Sequence, residues 1–583
     1  MRRTRPLSAA IVALTIVGVA CGGAAAPTAT PTARPAAPAP AATATRAPAQ
    51  PTPTSTAQVL TPPTVAPTPT AAAKRQQVGT FTYLQTDFVD NNFDPAQYRS
   101  SNAVQYMDHL YDSVVEPNLD YRLVGGIGET WTISADGRAW TFKVRKGVKA
   151  HDGSEITSAD LANAYLRYIK ADYRTHSGAQ LRGVFDKVET PDPSTVIYRF
   201  KAPFPQTLVD LAKYPGAGPG RIYPKSFLPY KDGNDRDEAQ AAFKKPVGTG
   251  PFKLTRHVFE EVMEFEAVPE HYREAARIKR LVLRVIPDLT TQFAALKAGE
   301  ADMMVASDLG TLTEALRRPD IKTFSVKGAG GTTCNFYGQD TSRYEKHPFQ
   351  DIRVRRAMNY AVNKEELIKT LNAGFGEPTA QYPFSPIAIG YDPDLRPFPY
   401  DPAMAKKLLA EAGYATGFET DFRTTVNGKT IGEAMQRYFA DVGIKLNIRI
   451  LDAATLGSEP PKHARKEITI PPGLTGCGLS TFISRPDMSS LASVYAHSGE
   501  RGTYGAVNNP DIDKYLELQE VESDPQKRHE LMREVNRAMY NNAVYLWMVQ
   551  AERVFIARDR VLEWQRIKGH AYPVHFEGLV VKP

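Results

Sequence analysis

Between Pro27 and Pro69 the sequence places twelve prolines, and from Gly22 to Gln77 it contains no aromatic residue. Nothing else in the chain restricts folding so strongly. Ala, Pro, Thr and small polar side chains carry too little apolar surface to offset the entropy of ordering, and closely spaced prolines favour extended geometry. The segment is therefore expected to be a disordered, semi-rigid tether. At roughly 3 Å per residue where extended, it would separate its two ends by on the order of 100 Å. Its Thr/Pro content would also permit O-glycosylation. A packed fold must come from residues 78–583, a length that buries ample core without covalent staples.

The segment before the tether follows the order of a secretory leader: Arg2, Arg3 and Arg5, an apolar run from Leu7 to Ala20, then Cys21. That run is too short to span a bilayer comfortably and fits an export signal. Ala20-Cys21-Gly22-Gly23 resembles a bacterial lipobox, whose cysteine is acylated after cleavage before it, although Gly18 stands where such boxes usually carry Leu. Two outcomes stay open: a lipid on Cys21 anchoring the protein to the outer face of the membrane, or an unlipidated leader. The net charge of +7 invites a nucleic-acid reading, but residues 1–73 hold five arginines (Arg2, Arg3, Arg5, Arg34, Arg46) and no acid. The remaining 66 basic and 64 acidic residues nearly cancel, so no nucleic-acid partner is expected. Hydrophobic residues at 42% and charged residues at 23% exclude a polytopic membrane protein. Cys334 and Cys477 could form one disulfide, and their pairing is left open.

Beyond residue 77, short β-rich runs alternate with amphipathic helical patterns, which indicates an α/β or α+β architecture in more than one lobe. Phe81–Leu84, Trp140–Val144 and Thr195–Phe200 read as strands, bounded by Gly, Asp or Pro. Ser158-Ala159-Asp160 opens a helix, 351–371 and 402–412 read as helical, and Gly443 sits at a helix C-cap before the strand 445–450.

Catalytic motifs fail on inspection. No zinc-binding His-Glu-x-x-His helix and no Gly-x-Ser-x-Gly nucleophile turn occurs. Gly428-Lys429-Thr430 lacks the earlier glycine of a phosphate loop, because that position is Arg423, and it reads as a plain turn. Gly248-Thr249-Gly250 begins a dinucleotide fingerprint that breaks at Lys253, and His570 with His575 lacks a third metal ligand at suitable spacing. No enzyme, metal site or cofactor is expected.

Six ordered segments do resemble the extracytoplasmic solute-binding proteins of ABC importers, in the peptide and nickel group known as family 5. They are Gly128–Gly137 running on to Gly153, Thr157–Leu161, Val247–Leu254, Asp288–Asp302, Pro348–Lys364 and Tyr400–Tyr414. The resemblance implies an α/β, periplasmic-binding-protein-like two-lobed fold of the cluster C type, with an extra subdomain on lobe one. Lobe one is expected at 78–111, 247–328 and 550–583, the extra subdomain at 112–246 and lobe two at 329–549, with the chain crossing near Gly328-Ala329-Gly330-Gly331 and Val549. It further implies a monomeric receptor that captures a solute by hinge closure and delivers it to permease and ATPase subunits, an oligopeptide being the leading solute. An oligosaccharide or a nickel chelate on the same scaffold, or a sensory receptor serving a chemoreceptor or kinase, are the alternatives.

By the same resemblance, Tyr83, Gln85, Asp87 and Tyr98 follow the first strand and face the ligand, and the facing segment of lobe two contributes Thr475, Cys477, Ser484, Arg485 and Asp487. Peptide-binding relatives pair an aspartate of lobe two with the α-ammonium group of the ligand. Gly473 to Pro486 contains no acid, so either Asp487 is that partner or the site lacks one, in which case Arg485 suits a carboxylate-bearing ligand. The 27 tyrosines and 25 phenylalanines suffice to line a large cleft, although most must be core.

Overall fold

A computed structural model describes residues 78–88, 92–97, 103–170, 178–213, 218–232, 235–341, 346–382, 385–464, 476–498 and 507–582. The leader, Cys21, the tether, Tyr98 and Thr475 lie outside the described residues.

Three sheets organise the described chain. Lobe one is built on seven strands in the order Ile321–Val326, Arg553–Arg558, Met303–Val305, Val78–Gln85, Ile278–Val285, Val262–Ala267 and Phe252–Val258. Val78–Gln85 is central and runs parallel to both of its neighbours, which suits a strand buried on both faces: Phe81, Tyr83 and Leu84 are each at most 1% exposed. Lobe two is built on six strands in the order Gly376–Pro378, Tyr545–Ala551, Gly330–Phe336, Gly476–Ile483, Phe418–Thr424 and Ile444–Ile450. A four-stranded antiparallel sheet, Gly128–Ile133, Ala139–Val144, Thr195–Phe200 and Phe185–Asp192, forms a third unit, called here the subdomain.

Local sequence explains where the helices start and stop. Thr157 and Asp160 exchange side-chain and backbone hydrogen bonds in a capping box that starts Ser158–Tyr168. The helix expected over 351–371 is instead two, Ile352–Ala361 and Lys364–Leu371. Asn363 turns out of the first and caps the second, its side chain accepting from the Glu366 backbone N–H at 3.0 Å. Gly443 takes φ +86° between Lys429–Ala440 and Ile444–Ile450, a conformation that disfavours a side chain.

The chain leaves the first sheet after Val326, enters the second at Gly330, and returns between Ala551 and Arg553. At the first crossing Gly328 takes φ +66° and packs so closely on Gln550 and Ser385 that an added Cβ would lie 3.4 Å from each. Gly569 (φ +75°) brings Tyr121, Ser385 and Gly328 to the same place. A side chain is therefore strained at Gly328, and both strained and crowded at Gly569.

One continuous apolar cluster runs from Phe81 and Tyr83 through Tyr106 and Tyr111 to Phe142 and Tyr198, so the subdomain shares its core with lobe one. Lobe two packs separately on the two faces of its sheet. Cys334 and Cys477, on paired strands with Cα atoms 5.5 Å apart, are joined by a disulfide inside one of those clusters.

Candidate functional site

The subdomain touches both lobes, and the two contacts differ in kind. Against lobe one it is held by buried ions. Asp112, fully buried, accepts from Lys213 at 3.1 Å, from Arg273 at 2.6 Å and from His271 Nε2 at 2.7 Å. Lys213 also reaches Glu116 at 3.3 Å, Arg273 reaches Glu577 at 3.2 Å, and Arg221 pairs with Asp108 at 2.6 Å. Burial alone pushes the Asp112 carboxyl up, but Arg273, Lys213 and His271 overcome it and hold the group well below the usual carboxylate range. Burial also opposes ionisation of Glu577, which His575, Arg273 and Lys213 hold down at about 2. The Gly248-Thr249-Gly250 turn belongs to this seam: the Asp112 N–H donates to Thr249 Oγ1 (3.0 Å), and an added Cβ at Gly248 or Gly250 would strike the 109–110 backbone. Its glycines serve close backbone packing, not a dinucleotide.

Against lobe two the contact is thin and mostly uncharged. The Tyr121 hydroxyl donates to the Ser484 carbonyl at 3.2 Å, and Gln206 Nε2 donates to Ser489 Oγ at 2.9 Å. The Asp136-Gly137 turn rests on Ser523, whose Oγ would lie 2.1 Å from a Cβ at position 137. Behind Tyr121 a small apolar patch of Val104, Ile567, Tyr572 and Val574 is joined from lobe two by Ile483. This seam lies beside the chain crossings, since the Ser484 N–H donates to the Ala329 carbonyl at 2.9 Å.

The sequence-derived site residues distribute unevenly around this seam. Gln85 ends the central strand of lobe one; its side chain is 6% exposed, and neither amide atom has a hydrogen-bond partner. Such a group costs free energy until something satisfies it. Ser484 is fully buried with its Oγ likewise unsatisfied, and Arg485 is buried where its charge acts on Tyr121, Tyr382 and Tyr572. Tyr83 is instead packed in the lobe-one core with its ring 5.9 Å from Phe576, because the inward face of a central strand is filled by core. Asp87 is exposed and accepts from Thr86 at 3.2 Å.

Two expectations are corrected. Cys477 is spent in the disulfide and fully buried in the lobe-two core, so its sulfur has no surface to offer a ligand. Asp487 is no waiting ammonium partner: its Oδ2 pairs with Arg528 at 2.5 Å and its Oδ1 caps the Ser489 N–H at 2.8 Å. Burial pushes that carboxyl up, and Arg528 and Ser489 overcome the effect and hold it below its usual value. Tyr121, Gln206, Asp210 and Ser489 were missed by sequence reading. Tyr121 takes the left-handed φ of 63°, unusual for tyrosine, and no local motif announced it.

A cavity of about 670 Å³ lies elsewhere, within lobe two, where Glu377, Gln381 and Gln550 face Tyr391, Arg396 and Tyr400. Gln550 lines this cavity and also packs on Gly328 at the first crossing. Among the described residues no three His, Cys, Asp or Glu side chains gather as metal ligands, and no helix is long and apolar enough to cross a membrane.

A family model described as "Bacterial extracellular solute-binding proteins, family 5 Middle" matches residues 122–469. The heme-binding protein A of Haemophilus influenzae is 30% identical over 348 residues, 55% of this chain and 60% of its own length. The dipeptide-binding protein of Escherichia coli is 25% identical over 506 residues, 81% of this chain and 89% of its own. The structure of the ABC transporter-associated periplasmic binding protein DppA from Helicobacter pylori, in complex with the peptide STSA, superposes with a TM-score of 0.67 at 21% identity, covering 86% of this chain and 99% of that one.

Proposed function

Since the chain belongs to family 5 of the bacterial extracellular solute-binding proteins, a family of binding proteins and not of enzymes, we propose that it captures an oligopeptide between its lobes and hands it to the permease of an ABC importer. The observation that carries this reading is the contrast at the subdomain: one face is fixed by buried ion pairs, while among the described residues the other meets lobe two without an ion pair, through the Tyr121 and Gln206 hydrogen bonds, the Gly137–Ser523 contact and a small apolar patch beside the chain crossings. A solute touching both lobes would favour the closed form by adding contacts the open form lacks. The peptide class is supported by relatives whose names specify dipeptides and by the peptide-bound fold relative.

With Asp487 already neutralised by Arg528, the ligand ammonium is not anchored there. Gln85, Ser484 and Arg485 are the side chains offered to a peptide backbone and carboxylate. Cys21 carries the lipid that holds the receptor outside the membrane, at the end of the tether, and the receptor acts as a monomer. A second reading, a planar metal chelate, takes its support from the heme-binding relative and from the aromatic rings of Tyr121, Tyr382 and Tyr572 around Arg485.

Native mass spectrometry of protein purified without denaturation separates these readings. A ladder of peptide masses is expected, and a sugar or chelate mass in its place defeats the peptide assignment. Radiolabelled palmitate should mark the wild type and leave Cys21→Ala unlabelled; label retained by the variant removes the anchor.

A further inference from the structure

The seam against lobe two holds one acid that nothing above employs. Asp210 ends the short helix Thr207–Asp210, one turn after its N-cap Gln206, and its N–H donates to the Gln206 carbonyl at 3.0 Å. Positions four apart share a helix face, so Asp210 points the same way as Gln206, toward lobe two. There Gln206 bonds Ser489 Oγ, which also accepts from Arg528 at 2.7 Å, and Arg528 pairs with Asp487. Asp210 is 8% exposed, and among the described residues no donor is bonded to its carboxylate. The groups facing it are Asp487 and Arg485 from the turn of lobe two, Arg528 from the helix Pro525–Asn541, and Tyr165 from the helix Ser158–Tyr168 of its own subdomain. Asp487 is already paired with Arg528, so the seam sets a second carboxyl near that ion pair, with Arg485 only partly offsetting its burial.

We propose that Asp210 is a proton-dependent latch: the subdomain closes on lobe two with Asp210 protonated, and ionisation of Asp210 drives the seam apart. This rests on the reading that the lobes open and close around a solute, and it adds the regulation of that movement. In the structure, where the seam is made, burial, then Asp487, push the carboxyl from 3.8 up to about 7, with Arg485 and Arg528 opposing. Opening returns the group to water and toward its ordinary value. Between those values the closed form holds a proton that the open form lacks. The closure constant should therefore fall up to about tenfold per pH unit as pH rises toward 7, and level off above it.

The experiment uses the full chain without added solute, carrying fluorophores on unnatural residues at Lys187 in the subdomain and Leu518 in lobe two, both exposed. Energy transfer is read from pH 5 to 8.5. The closed population should fall from pH 5 to 7 and then stay level, Asp210→Asn should remain closed throughout, and Asp210→Glu should keep the slope. Gln206→Leu should lower the closed population at every pH with the slope unchanged. A wild type without slope, an Asp210→Asn protein that retains it, or an Asp210→Glu protein that loses it overturns the latch. Because no solute is present, an error in the solute class leaves this readout untouched, whereas a normal slope in a protein that captures no solute faults the capture reading alone.

Discussion

The two faces of the subdomain use carboxylates in opposite ways. Against lobe one, Asp112 and Glu577 are buried with more than one cation around each, and both are held ionised. Against lobe two, Asp210 is buried beside another acid and is held toward neutrality. A buried ion pair whose partners satisfy each other is costly to pull apart, because each separated charge would be left uncompensated. A buried carboxyl whose desolvation and acidic neighbour outweigh nearby Arg485 and Arg528 has the reverse property: it destabilises its own interface when it ionises. The shared apolar cluster points the same way, extensive between subdomain and lobe one but reduced beside Tyr121 to a handful of side chains. If the receptor moves as proposed, it needs one permanent seam and one reversible seam, and the charges are distributed in that way.

The largest effect should come from breaking the permanent seam. Asp112→Ala removes the anion that Arg273, Lys213 and His271 share, leaving Arg273 to Glu577 and Lys213 to Glu116, and a loss of about 3 kcal/mol is expected in urea denaturation at pH 7. A loss below about 1 kcal/mol would remove the distinction between the seams. Next is a control that touches neither seam. Cys334→Ser with Cys477→Ser opens a cross-link between residues 143 apart, and about 2–4 kcal/mol should be lost from lobe two, with energy transfer across the reversible seam unchanged. Tyr121→Phe removes only the bond to the Ser484 carbonyl. It should weaken closure by about 1 kcal/mol while leaving the urea midpoint of lobe one in place.

The pH dependence sharpens the contrast most directly. Asp112 and Glu577 have depressed values when folded, so their stabilisation is complete above the ordinary carboxylate range and is lost as pH falls through it, toward about 2 for Glu577. Asp210 has a raised value, so its stabilisation is complete at acid pH and lost as pH rises to about 7. Hydrogen exchange should show 271–273 protected from pH 8 down to 5, while 484–489 gains protection over the same descent. Parallel behaviour of the two segments would contradict the opposed roles.

Much of the architecture was legible because it is written locally. The strand Thr195–Phe200 has the expected bounds, the Thr157/Asp160 capping box starts its helix where expected, and Gly443 adopts its left-handed turn. These features depend on residues a few positions apart. The break at Asn363 was hidden because helical periodicity continues through it, and the capping side chain competes without disturbing the pattern. The site was less legible. Ser484 and Arg485 lie at the seam, but Tyr83 proved to be core and Cys477 a disulfide partner, since strand order and facing strands decide both.

Asp487 shows the limit most clearly: its role depends on Arg528, 41 positions away, and a sequence motif cannot show that a charge is already paired. The sequence by itself determined the family and the two-lobed α/β plan, because short motifs encode local conformation and lineage; the leader and tether it suggests lie outside the described residues. Only the tertiary structure decided which charges are shared and which carboxyl is buried near another. Those outcomes are set by distances of a few ångströms between residues 41 or more positions apart, where burial turns a charge from harmless into decisive.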